Sequence, residues 1–155
     1  MTENKNLKKI LEIASEYPLL QEATNKRREN WVTIVPVIHD VLSTVVEALS
    51  QNEFFKDSID LPPLDSIDAN TTVAVTMRDF KLGDWIQKGF IIAFQPTINN
   101  RLHCFAFGFY IEKRTDPEFY DLATIEHEEV NSEKILEIFA DAFEKVKSTS
   151  IFRLD

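Results

Sequence analysis

Three histidines and one cysteine are the residues of this chain most suited to proton transfer, nucleophilic attack or metal binding. His39 precedes Asp40, and an imidazole oriented by a neighbouring carboxylate can serve as a general base. On an apolar helix, however, a histidine that hydrogen-bonds a carbonyl is the simpler reading. His103 precedes Cys104, but neighbours in a strand face opposite ways, so these two cannot form a thiol–imidazole pair with each other. Cys104 would need His39 or His127 from elsewhere in the fold. Without one it packs as a small, inert hydrophobe. His127 lies in Glu126-His127-Glu128-Glu129, which offers metal-type ligands on a solvated segment and makes at most an adventitious site. Arg78, Asp79, Lys81, Asp84 and Lys88 can line one end of a sheet and hold a polar ligand, although charged decoration of an edge accounts for them as well.

Other routes to chemistry are closed by composition. The chain has three glycines, Gly83, Gly89 and Gly108, and they form neither a glycine-rich phosphate loop nor a dinucleotide fingerprint. It contains no G-x-S-x-G elbow and no H-E-x-x-H helix. We therefore assign no catalytic residue, no metal and no cofactor from the sequence.

The elements that must position these residues read as follows. Leu7, Ile10, Leu11, Ala14 and Tyr17 recur at helical spacing, so residues 5 to 17 are expected to form an amphipathic helix ended by Pro18. Residues 19 to 30 read as a second short helix carrying the chain's one basic cluster, Lys26-Arg27-Arg28. From Trp31 to Leu49 apolar residues fall nearly all round the helical wheel, the pattern of a buried central helix. Pro36 is tolerated if Thr33 caps that helix, and kinks it if the helix starts earlier. Residues 52 to 70, with Pro62-Pro63 inside a repeated Asp-Ser-Ile-Asp, read as an ordered loop clipped to the core by Ile59, Leu61, Leu64 and Ile67.

Three strands are expected at Thr71 to Asp79, Trp85 to Gln95 and Arg101 to Lys113, turning at Leu82-Gly83-Asp84 and at Asn99-Asn100. In the last of them Phe105, Phe107 and Phe109 share one face while Cys104, Ala106 and Gly108 share the other. In the strand before it Phe90, Ile92 and Phe94 stand together. The expectation is one aromatic sheet face, built by both strands and buried as core, backed by a small-residue face. After an acidic loop, Asn131 or Ser132 caps a helix running to about Lys147 with Ile135, Ile138, Phe139, Ala142, Phe143 and Val146 inward. The reading is an α+β fold: a helical N-terminal half, a three-stranded antiparallel meander and a C-terminal amphipathic helix. It is taken as a single domain over 1–155, divided into a helical part (1–51), the Pro/Asp-rich loop (52–70), the sheet (71–113) and the last helix (131–148).

Charge carries the functional expectation. Residues 1 to 30 hold six bases and five acids, whereas residues 112 to 155 hold six bases and twelve acids. The formal net charge is -9. Such a surface repels phosphate backbones, so no nucleic acid is expected, and it attracts basic partners. The N-terminus has no apolar signal core and the longest uninterrupted apolar stretches are far short of a membrane span, so a cytoplasmic protein without a membrane partner is expected. The single cysteine agrees with a reducing compartment. The leading expectation is a non-catalytic binding protein of immunity, antitoxin, chaperone or inhibitor type. It would engage a basic protein through acidic loops at Asp116, Glu118, Asp121, Glu126, Glu128 and Glu129. The alternative is a small-ligand domain or enzyme with an apolar pocket between the Phe-rich sheet face and the 31–49 helix, its polar groups supplied by His39, Arg78 and Tyr110. Homodimerisation through the Phe face is compatible with either.

Overall fold

A computed structural model of the chain describes residues 4–68, 72–82, 85–97, 100–109 and 118–147. It is an α+β structure of two layers, helices on one face of an antiparallel sheet. The helices are α1 (Lys5–Ala14), α2 (Tyr17–Leu49) and α3 (Ser132–Lys147). The strands are β1 (Ile59–Asp60), β2 (Val73–Leu82), β3 (Trp85–Pro96), β4 (Arg101–Phe109) and β5 (Glu118–Glu126). The sheet therefore has five strands rather than the expected three, in the order β1-β2-β3-β4-β5 with every pair antiparallel. Both additions sit at the edges. β1 contributes two residues beside Met77 and Thr76, where the Pro/Asp-rich loop touches the sheet.

The N-terminal half departs from the expected three helices. α1 is capped by Asn4, whose Oδ1 accepts from the amides of Asn6 and Leu7 at 3.0 and 3.1 Å. It stops at Ala14, and after Ser15 and Glu16 the chain re-enters helix at Tyr17, with Pro18 in the first turn of α2, where its missing N–H costs nothing. Pro18 thus opens a helix instead of closing one. From there α2 runs for 33 residues and carries Pro36 in its interior. The bond forgone is the one to the carbonyl of Val32, and both Val32 and Pro36 are exposed, so water can reach that carbonyl.

α2 buries one stripe, not its whole circumference. Trp31, Val35, Ile38, Val41 and Leu42 are buried against the sheet, while Val32 is 58% exposed and Pro36, Asp40 and Glu47 face solvent. Arg28–Leu49, with mean hydropathy 1.6, is long and apolar enough by length and composition to cross a membrane. The expectation that the apolar stretches fall short of a span therefore does not hold for this one, 22% of whose window is buried. Its Trp31, Val35, Ile38, Val41 and Leu42 stripe belongs to the hydrophobic core.

α3 begins as the capping pattern dictates. The amide of Lys134 donates to Asn131 Oδ1 at 2.9 Å, and Ile135, Ile138, Phe139, Ala142 and Val146 turn inward. Phe143 joins the layers, its ring 6.2 Å from that of Phe90 in β3 and 5.8 Å from that of Phe55. Ile59, Leu61 and Ile67 clip the 52–68 segment onto this core, but Leu64 remains 40% exposed. His39 completes the attachment: its Nε2–H donates to the Pro62 carbonyl at 2.8 Å and its Nδ1 accepts from Ser43.

Register corrects the expected aromatic face. Phe94 pairs with Cys104, Ile92 with Ala106 and Phe90 with Gly108. The aromatic side of β3 thus lies beside the small-residue side of β4, and the two Phe sets point to opposite faces of the sheet. Val73, Val75 and Met77 join Phe90, Ile92 and Phe94 under the helices, with Leu102, Cys104 and Ala106 beyond them. Gly89 sits in mid-strand at φ 98°, a backbone region that favours glycine, paired with Arg78 and Phe109.

Candidate functional site

Phe105 and Phe107 are left on the face that none of the described helices covers, and both are half-buried rather than core. The strand partners extend this face in rows. Ile91, Phe107 and Phe119 stand side by side across β3, β4 and β5, with Thr76 of β2 at the end of the row. The next row is Ala74, Ala93, Phe105 and Asp121, followed by Gln95, His103 and Thr124, and then by Arg101 and Glu126. The surface is apolar in the middle and charged toward one corner.

Its aromatic cluster is built by diagonal contacts across β4 and β5. The rings of Phe105 and Phe119 stack at 5.3 Å, His103 lies 5.4 Å from Phe105, and Phe119 is 55% exposed. His103 Nε2–H donates to Asp121 Oδ1 at 2.6 Å. One row further, Arg101 Nε meets Glu126 Oε1 at 2.9 Å. These pairs are solvent-accessible, so they orient the rim more than they stabilise the fold.

The acidic residues expected to form partner-binding loops are differently arranged. Glu118, Asp121 and Glu126 belong to β5, an edge strand, and Glu128 and Glu129 to a single 3-10 turn, His127–Glu129, that follows it. Asp116 lies outside the described residues. The acids are also partly committed within the chain: Glu126 and Glu129 form a reciprocal capping box, with the Glu126 amide donating to Glu129 Oε1 at 3.2 Å. His127 reaches back to α2, where its Nε2–H donates to the Asn30 carbonyl at 3.3 Å and its ring meets Trp31 edge-on at 5.4 Å. Among the described residues no group of three or more His, Cys, Asp or Glu is placed to hold a metal ion.

The strand was hidden by a β-bulge. Cys104 pairs with Ala123 but Phe105 pairs with Asp121, which leaves Leu122 as an extra residue in β5. Tyr120, Leu122, Ala123 and Ile125 all pack toward the helices, so the inward positions change phase at the bulge and the alternation that marks a strand is broken.

Of the three residues expected to furnish a pocket, only His39 has a described side chain. His39 is occupied by Pro62 and Ser43, only the backbone of Arg78 is described, and Tyr110 lies outside the described residues. α2 packs on the sheet face opposite Phe105 and Phe107, so that helix and those two rings do not face each other. A groove of about 240 Å³ does run between β5 and α3, lined by Asp121, Leu122, Ala123, Ile138, Asp141 and Lys145. Cys104 is buried beneath the helices, and desolvation pushes its thiol up to about 12. It is therefore a protonated, non-nucleophilic thiol at neutral pH. Compared with protein-family models, with curated proteins and with solved structures, the chain matches none.

Proposed function

We propose that the protein is a non-catalytic binding module that holds a basic, apolar-faced segment of a protein partner on its uncovered sheet face, with the acidic edge strand steering the approach. The observation that supports this most is the row Ile91–Phe107–Phe119 with Phe105 beside it, on the sheet face opposite the helices. An apolar surface rimmed by charge is the usual form of a protein-interaction site. From Glu118 to Glu129 the chain has five acids and no Lys or Arg, which favours partners of opposite charge.

Capture from native lysate, followed by identification of the retained protein, tests this. The parent should retain a protein that Phe119→Gln loses, because the face is then polar at the most exposed of its described rings. Replacing Glu126, Glu128 and Glu129 together by Gln should slow association and flatten its dependence on salt, since exposed charges are screened beyond a Debye length of about 8 Å at physiological ionic strength. A captured set insensitive to both variants and to salt would refute the proposal.

A further inference from the structure

The start of the arm that precedes Trp31 is a second exposed surface among the described residues, whereas its end is tied to the fold by Arg28–Asp68 and Asn30–Asn100. Every residue of α1 is exposed, and so are Tyr17, Leu19 and Leu20 at the start of α2. Leu7, Ile10 and Leu11 nevertheless fall on one side of α1, 54%, 60% and 62% exposed, with Lys5, Lys8 and Lys9 away from them. A ten-residue helix in water is marginal without something to cover such a stripe.

We infer that the protein forms a closed two-fold dimer in which the N-terminal arm of each copy lies on the uncovered sheet face of the other. The inference rests on the reading of that face given above and names one occupant for it. Charge favours this pairing: the first 30 residues carry six bases and five acids, whereas Asp121, Glu126, Glu128 and Glu129 lie in β5 and its following turn with no Lys or Arg among them. Outside its first 30 residues the chain has 11 bases and 21 acids, so the arm is the part least repelled by a second copy. Layering favours it as well, because a sheet covered by helices on one face gains a second helix layer on the other. Exchange in both directions makes the contact isologous and closes the assembly at two copies.

Sedimentation of the full chain against concentration tests the inference, with circular dichroism to confirm folding of every variant. The parent should sediment as a dimer. Leu7→Asp/Leu11→Asp, which changes no buried residue, and Phe119→Gln, on the sheet, should each raise the dimer dissociation constant at least tenfold. Mixed in equal amounts, the two variants should recover a heterodimer, because one copy retains an intact sheet face and the other an intact arm. A monomeric parent, a dimer indifferent to Phe119→Gln, a mixture that fails to associate, or species that grow beyond two copies would each overturn it. Capture of a foreign protein on the Phe face by a monomeric parent would overturn the dimer while leaving the binding function standing. A dimer that captures nothing would do the reverse.

Discussion

Phe94 and Phe119 show how much the same side chain can differ in role within one sheet. Phe94 is fully buried under the helices, so Phe94→Ala should cost about 3–5 kcal/mol in chemical denaturation. Phe119→Ala removes a half-exposed ring stacked on Phe105 and should cost no more than about 1.5 kcal/mol. Cys104 gives a second test at this scale. Its folded thiol is raised to about 12 from 9.0, so the folded state holds the proton more tightly than the unfolded chain does. That contribution to stability is complete below about pH 9 and is lost progressively as pH climbs from there toward 12. Labelling of the native protein by a thiol reagent at pH 8 should proceed only at the rate of unfolding, and faster labelling would show a local opening. The burial of Cys104 was legible from its apolar neighbours. The exposure of Phe105 and Phe107 was not, because a strand with two apolar faces does not say which face its neighbour's register will place under the helices.

Among the elements, α3 was legible almost to the residue: Asn131 is a good cap and the inward positions keep helical spacing over four turns. Tyr17-Pro18 misled because proline reads as a terminator, yet at a first helical turn it is favourable; Pro36 lies instead at a solvent-facing interior position, where it is merely costly. This makes Pro36→Ala informative. It restores at position 36 an N–H that can donate to the Val32 carbonyl, and in an exposed stretch of helix it should stabilise the fold by an amount of the order of 1–3 kcal/mol, read as a rise in Tm. A fall in Tm would mean that Pro36 maintains a bend on which the packing of Trp31 and Val35 depends. β5 stayed hidden for another reason: its acids read as solvated loop, and Leu122 shifts the phase of its inward residues halfway along.

At the scale of the molecule, the α+β class follows from helical periodicity at both ends and alternating runs between them. The layer arrangement does not follow, since it depends on which of two apolar sheet faces meets α2 and α3. Composition names the acidic residues, whereas the arrangement of the described ones, an extended edge with a capped turn, comes from pairing that composition cannot express. The site proposed here is thus a product of register. A shift of one residue between β3 and β4 would bury Phe105 and Phe107 and turn Cys104 outward.

The strand order β1-β2-β3-β4-β5 also dictates how the chain can assemble in time. Every strand pairs with its neighbour in sequence, so the sheet can zip from hairpins whose closures are short and entropically cheap. The helix layer is the opposite: α2 and α3 come from the two ends of the chain, yet they touch each other as well as the sheet. Their meeting closes the longest loop and should come late. Ile92→Val, in the central strand, should then slow refolding, while Ile138→Val, in α3, should mainly speed unfolding in stopped-flow chevrons. The reverse pattern would place the nucleus in the helices.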